Sequence, residues 1–212
     1  MLKMRRAGVE RFDPFPGAIP ELAWPTRGRS LFTDEARYIA RTRVNPDYGK
    51  PGWTRDCGKR FHRGVDIAPL HARSAGHTVR VEFSDCATGR EYPSDEPAWV
   101  PEDEVYAVLP GRVVECNAVE VESSLGLFVV LEHGDAHCFT LYAHLAALDV
   151  SVGADMEAGA RLGLMGQTSR IPDARNWMAI APHVHFEVIL PSGVGADPLE
   201  FLQRGLARFD LR

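Results

Sequence analysis

Two histidines separated by one residue, in PHVHFEVIL, are the most chemically suggestive feature of this chain. In a strand, successive side chains point to opposite faces, so His183, His185 and Glu187 share one face and Val184, Phe186 and Val188 the other. The apolar set is expected in the core. The two imidazoles then stand roughly 6.5 to 7 Å apart by strand rise. That is too far for one ion to bind both symmetrically, yet close enough for one to hold a metal while the other reaches its water or a substrate. The alternative is a solvated strand face.

A second segment, FHRGVDIAP, sets His62 and Asp66 four residues apart with Gly64 between them to favour a bend. Two imidazoles and a carboxylate with an open fourth position match a catalytic rather than a structural zinc site, although such donors also suit other transition metals. Taken alone the pattern equally describes a His and an Asp in a surface turn. In a third segment, CFTLYAHLAAL, alternation puts Phe139, Leu141 and Ala143 on one face and Thr140, Tyr142 and His144 on the other, so His144 points away from that apolar set. Tyr142 is a candidate hydrogen-bond donor to an oxyanion, with packing as its alternative. Glu187 is a candidate orienter of a ligand histidine. His71, His77, His133 and His137 lie outside these segments and are read as surface residues.

The elements that must position these groups are mainly β. From Val105 the chain runs as short apolar stretches broken by glycine, VYAVLPGRVVEC, LGLFVVLEHG, CFTLYAHL, VGADMEAGARLGLMG and HVHFEVIL, the pattern of an antiparallel sheet core. Residues 1–30, rich in Pro, Gly and Arg, read as an irregular arm over the domain. TDEARYIARTR reads as a short helix capped by Thr33 or Asp34, with Ala36, Ile39 and Ala40 on one face. The polar, proline-bearing stretch from about 70 to 104 reads as an insertion with one strand, TVRVEF. A C-terminal helix is expected over about 198–210, with Asp197 as cap, Pro198 at the first position and Leu199, Leu202 and Leu206 on one face. Residues 31–212 are thus expected to form a single domain.

Composition narrows the functional classes. The 212 residues are 45% hydrophobic and 25% charged, the balance of one globular domain, and the net charge of -5 argues against a nucleic-acid partner. No stretch approaches the ~18 apolar residues of a membrane span. The basic start, MLKMRRAGVERFDPFPG, is followed by no apolar run, so no secretory signal is read and a cytoplasmic location stays open. Cys57, Cys86, Cys116 and Cys138 form no CxxC pair; they permit two disulfides in three connectivities, or four reduced thiols.

The ordered motifs HRGVDIA, LYAHL and HVHFEV, with the glycine-rich VSVGADMEAGARLGLMGQTS before the last, resemble the lysostaphin and LytM type of zinc metalloendopeptidase. The match runs from about Trp24 to Val188 and is broken by the insertion after Pro69. The resemblance implies a duplicated hybrid-motif β fold, sandwich- or barrel-like. It also implies one zinc per chain held by His62, Asp66 and His185, with His144 and His183 as catalytic histidines. It further implies a substrate, the stem peptides or cross-bridges of bacterial peptidoglycan, and a periplasmic or extracellular location; a monomer is favoured. The chain departs from the family in its insertion and in RIPDARNWMAIAP, which stands where a short turn is usual. Two other readings remain: a non-catalytic regulator of wall hydrolases on the same fold, and a histidine phosphocarrier of related fold.

Overall fold

The computed structural model describes residues 8–26, 39–40, 45–119, 123–169 and 181–206. In chain order its strands are β1 (Gly52–Arg55), β2 (Arg60–His62), β3 (Val65–Ile67), β4 (Ala72–Ser84), β5 (Glu91–Pro101), β6 (Glu104–Tyr106) and β7 (Gly111–Asn117). They continue with β8 (Leu127–His133), β9 (Cys138–Leu145), β10 (Ala147–Leu148), β11 (Asp155–Met156), β12 (Arg161–Leu164), β13 (Val184–Ile189) and β14 (Gly195–Ala196), and a helix α1 (Pro198–Leu206) follows. The fold is mainly β, as its alternating apolar runs require. The helix expected over TDEARYIARTR falls almost wholly outside the described residues.

A seven-stranded antiparallel sheet runs β11-β7-β8-β9-β13-β14, with β3 also paired to β13. Strand β13 is its pivot: β9 lies along one side, and β3 and β14 share the other, β3 beside Val184 to Phe186 and β14 beside Val188 and Ile189. A three-stranded sheet, β10-β12-β6, stands apart from it in the hydrogen-bonding pattern. The main core gathers Val129, Leu131, Tyr142, Val184, Phe186 and Val188 with Val105, Val108 and Leu162. Full burial of a side chain such as Phe186 is worth about 1.5–3 kcal/mol. The opposite face of the large sheet is apolar too, where Val130, Leu141, Ala143 and Ile189 form a second cluster.

Helix α1 starts as its sequence demands. Asp197 Oδ1 accepts from the backbone N–H of Leu199 at 2.9 Å and of Glu200 at 3.1 Å, satisfying two amides that a helix start leaves open. It buries Phe201, Leu202 and Gly205 rather than the expected row of leucines alone. Gly205 sits so close to Leu22 that an added Cβ would come within 2.2 Å of it. The N-terminal arm is therefore part of the packing: Ile19 and Leu22 are buried, and Ala23 N–H donates to Val108 O at 2.9 Å.

The insertion differs from its sequence reading. Both arms are strands, pairing from Ala72↔Pro101 to Ser84↔Glu91 as a two-stranded ribbon. Pro93, Pro97 and Pro101 discouraged a second strand in the sequence. In a ribbon of two, however, each strand is an edge, and a proline whose missing N–H faces outward costs no ladder bond. At the base, the Asp103 carboxylate accepts from His71 N–H at 3.1 Å. At the tip, Cys86 is disulfide-bonded to Cys57 in the turn between β1 and β2, while Cys116 and Cys138 are free.

His133 also departs from its surface reading: it is buried, with Nδ1 2.8 Å from Pro110 O and Nε2 2.7 Å from Thr140 Oγ1. Thr140 Oγ1 lies 3.2 Å from Tyr142 Oη, which receives the Val108 N–H at 2.9 Å. One proton arrangement satisfies the whole chain: Nδ1–H of a neutral His133 donates to Pro110, Thr140 donates to Nε2 and Tyr142 donates to Thr140. Burial pushes the His133 imidazole below its ordinary value, outweighing the Pro110 bond. A depressed folded value favours the neutral form, so this stabilisation is present above the unfolded pKa of about 6.5 and is lost as pH falls below it toward the folded value. The melting-temperature advantage of wild type over His133→Gln is expected to be larger at pH 7.5 than at pH 5.5. An advantage independent of pH would refute the neutral assignment.

Candidate metal centre

The segment around β3 brings the first two site residues to β13. Gly64 forms the bend between β2 and β3, and the register His185↔Asp66 sets the carboxylate beside the second HxH histidine. Ala40 N–H donates to Asp66 O and Asp66 N–H to Gly49 O, both at 2.9 Å, so the Asp66 backbone is pinned on both sides. His62 Nε2, Asp66 Oδ1 and His185 Nδ1 converge, with separations of 3.1 Å between the imidazole nitrogens, 3.2 Å from His62 to Asp66 and 2.9 Å from His185 to Asp66. Among the described residues these three form the group that could hold an ion, their ligand atoms all within 4.8 Å of one another.

The outward nitrogen of each imidazole is engaged, which settles where its lone pair points. His62 Nδ1 is 2.7 Å from Lys50 O, His144 Nδ1 2.7 Å from Thr168 O and His183 Nδ1 2.6 Å from Ala181 O. A carbonyl accepts, so each Nδ1 carries the proton and each Nε2 turns a lone pair inward. His185 is reversed: Nε2 lies 2.8 Å from Glu187 Oε1, leaving Nδ1 to face Asp66. Backbone carbonyls and a carboxylate thus fix the tautomers, the arrangement that orients metal-ligating histidines. The donor set fits a zinc ion with three protein ligands.

The second pair of histidines adjoins the first group. The His144 and His183 ring centroids are 4.8 Å apart, those of His144 and His185 5.9 Å, and His183 Nε2 is 3.6 Å from Asp66 Oδ1. Strand alternation does not explain how His144 arrives. Tyr142 stands opposite Phe186 on the main-core face, so regular alternation would send His144 there as well. Instead His144 adopts a left-handed backbone, φ 62°, a conformation costly for a non-glycine residue, which swings its imidazole toward His183. Gly166 makes this possible: a Cβ there would meet Ala146 N at 2.4 Å and His144 O at 2.8 Å. The loop can then close on the end of β9 and present Thr168 O.

Tyr142 is corrected from a candidate oxyanion donor to a core residue. It is fully buried, packs on Phe186 at 5.3 Å between ring centroids, and has its hydroxyl engaged by Val108 and Thr140. Burial pushes its phenol well up, beyond any use as an acid. Sequence reading missed Arg55. Its guanidinium stacks on the Tyr48 ring at 3.9 Å, donates from Nη2 to His62 Nε2 at 2.9 Å and also bonds Asp66 Oδ2. It lies in GWTRD, outside every motif, and no pattern in the sequence marks it.

Electrostatics follow from burial and from these bonds. Burial alone would raise the Asp66 carboxyl, but the adjoining His183, His62 and His185 imidazoles together hold it well below the usual carboxylate range. Burial pushes His144 down to about 3, with the neighbouring His183 and His185 adding to the effect. Burial lowers His62 and His183 as well, against the opposing pull of Asp66. His185 moves the other way: burial would lower it, but its bonds to Asp66 and Glu187 raise it.

Gly64 is where the site tolerates least change. A Cβ there would stand 2.4 Å from His185 Cε1, 2.6 Å from its Nε2 and 2.7 Å from Phe186 O. Gly64→Ala is expected to displace the His185 ring and break its bond to Glu187. It should cost about 1–3 kcal/mol of stability by overpacking and about 10- to 100-fold in metal affinity by loss of ligand orientation. Metal titration of a folded Gly64→Ala variant checks this; wild-type affinity would contradict it.

Comparison with known proteins shows what the second half of this centre is similar to. Residues 98–198 match the model of Peptidase family M23. The matched part carries His144, His183 and His185; His62 and Asp66 precede it, on the far side of the inserted ribbon. The peptidoglycan DD-endopeptidase ShyA of Vibrio cholerae is 35% identical over 65 residues, 31% of this chain and 13% of the relative. This chain therefore matches a small part of that protein's length. The catalytic domain of the antimicrobial peptidase lysostaphin from Staphylococcus simulans aligns at 21% identity and a TM-score of 0.45, over 74% of this chain and 90% of that one. A zinc-containing peptidase from Vibrio cholerae aligns at 25% identity and a TM-score of 0.38, over 66% and 39%.

Proposed function

We propose that this chain is a zinc-dependent endopeptidase that hydrolyses peptide bonds in the stem peptides or cross-bridges of bacterial peptidoglycan. The observation that carries the reading is the convergence of His62 Nε2, Asp66 Oδ1 and His185 Nδ1 with every outward imidazole nitrogen already engaged. The substrate class rests on the M23 match and on ShyA, a peptidoglycan endopeptidase. In this reading residues 31–212 form one catalytic domain, and the protein acts in the periplasm or outside the cell. The Cys57–Cys86 disulfide supports that location, since such bonds persist in oxidising compartments.

Zinc held by the three ligands supplies Lewis acidity and brings the pKa of bound water to about 7. His183 Nε2, 3.6 Å from the Asp66 carboxylate, would accept a proton from the attacking water, and the carboxylate would steady the resulting imidazolium. His144 Nε2 is its partner. Burial holds it neutral, so the proton that His183 takes from water would, if passed to His144 Nε2, move on readily to the leaving amine; while protonated there, His144 would donate a hydrogen bond to the tetrahedral oxyanion. Glu187 holds the His185 ring from behind, and Arg63 Nε lies 3.9 Å from its other oxygen.

The test is digestion of purified peptidoglycan by zinc-loaded protein, read as new amino termini, alongside metal analysis. About one zinc per chain with release of amino termini is expected. Zinc bound with no release would favour a non-catalytic regulator, and a metal-free protein phosphorylated on histidine would favour a phosphocarrier.

A further inference from the structure

Arg55 stands in an unusual place for a cation. One guanidinium nitrogen, Nη2, donates to His62 Nε2 at 2.9 Å and bonds Asp66 Oδ2, so it touches two of the three candidate ligands. The group is built in: Arg55 is 8% exposed, and its guanidinium carbon lies 3.9 Å from the Tyr48 ring centroid, a cation–π contact that holds the plane from outside. Because His62 Nδ1 is committed to Lys50 O, the inward lone pair of Nε2 is the atom's sole means of binding a metal. That same lone pair accepts the Arg55 N–H.

We propose that the Arg55 guanidinium is a built-in cation competing with metal for His62 Nε2 and Asp66, so that zinc loads by displacing it. This rests on the proposed ligand set. Two further features support competition rather than simple support of the carboxylate. The contact to Nε2 takes a ligand atom and not the rear of the ring. An uncompensated Asp66 carboxylate facing buried imidazoles would also be costly, so a resident positive charge lets the chain fold before metal arrives. The site thereby trades metal affinity for a stable unloaded form, and zinc uptake depends on an arginine swinging out.

The test is zinc affinity by chelator competition, with melting temperatures before and after zinc addition, on wild type, Arg55→Met, Tyr48→Leu and His185→Ala. Arg55→Met is expected to bind zinc at least about 10-fold tighter than wild type. It should melt lower without zinc and gain more on zinc addition. Tyr48→Leu keeps the charge but loosens its seat, and should shift affinity in the same direction by less; it serves as the readout should Arg55→Met fold poorly. Unchanged or weaker zinc binding in both variants, with wild type binding normally, would overturn the competition while leaving the ligand set standing. Zinc bound by Arg55→Met but not by wild type would support it. Failure of both to bind, like His185→Ala, would end both proposals.

Discussion

His185→Ala is expected to leave the chain folded and without its metal. Bound zinc should fall from about one per chain to near zero, and peptide hydrolysis should drop by on the order of 10³-fold or more. Lewis-acid stabilisation is worth several kcal/mol, and each 1.36 kcal/mol is tenfold in rate. His62→Ala should do the same, since Nε2 of His62 and Nδ1 of His185 are 3.1 Å apart and converge on the same carboxylate. Both residues lie on strand faces whose neighbours, Val65, Val184 and Phe186, stay buried in the core, so loss of the imidazole leaves that packing intact. Metal analysis on refolded variants, with circular dichroism to verify the β structure, makes the check. A variant that kept zinc at wild-type affinity would remove that residue from the ligand set.

His183→Ala and His144→Ala are expected to separate metal from chemistry. Each should retain about one zinc per chain, because neither contributes to the converging triad, while kcat falls about 10²- to 10⁴-fold, the usual worth of general acid–base help. The double variant should lose far less than the product of the two, because groups that serve one proton transfer act as a unit. His144→Ala carries a second signature: it removes the side chain whose Nδ1 is anchored on Thr168 O, so that loop should exchange its amides faster. Full turnover with zinc bound in either variant would show that the residue has no catalytic part.

Much of the scaffold was legible in the chain because it follows local rules. The period-two pattern of HVHFEV placed Val184, Phe186 and Val188 in the core and His185 and Glu187 on the other face. Asp197 and Pro198 announced α1. Alternation alone points His144 away from the apolar row Phe139, Leu141 and Ala143. The sheet is apolar on both faces, so a one-dimensional pattern could not say which apolar row faced the larger core. The residue joins the cluster through its left-handed backbone, which depends on Gly166 approaching from a distant loop. Arg55 and the buried His133 chain are long-range meetings with no local period. The paired strands of the insertion were hidden because proline depletion is a rule for interior strands, and both of these are edges.

The Cys57–Cys86 bond has one more consequence, for survival among proteases. It closes a ring of chain in which His62 and Asp66 both lie, together with the outbound arm of the ribbon and its exposed residues Arg73, His77 and Arg80. A cut in that arm would leave His62 and Asp66 on one fragment and His144, His183 and His185 on the other. With the ring intact, both fragments remain one covalent molecule, so the bond acts as a splint across this exposed arm.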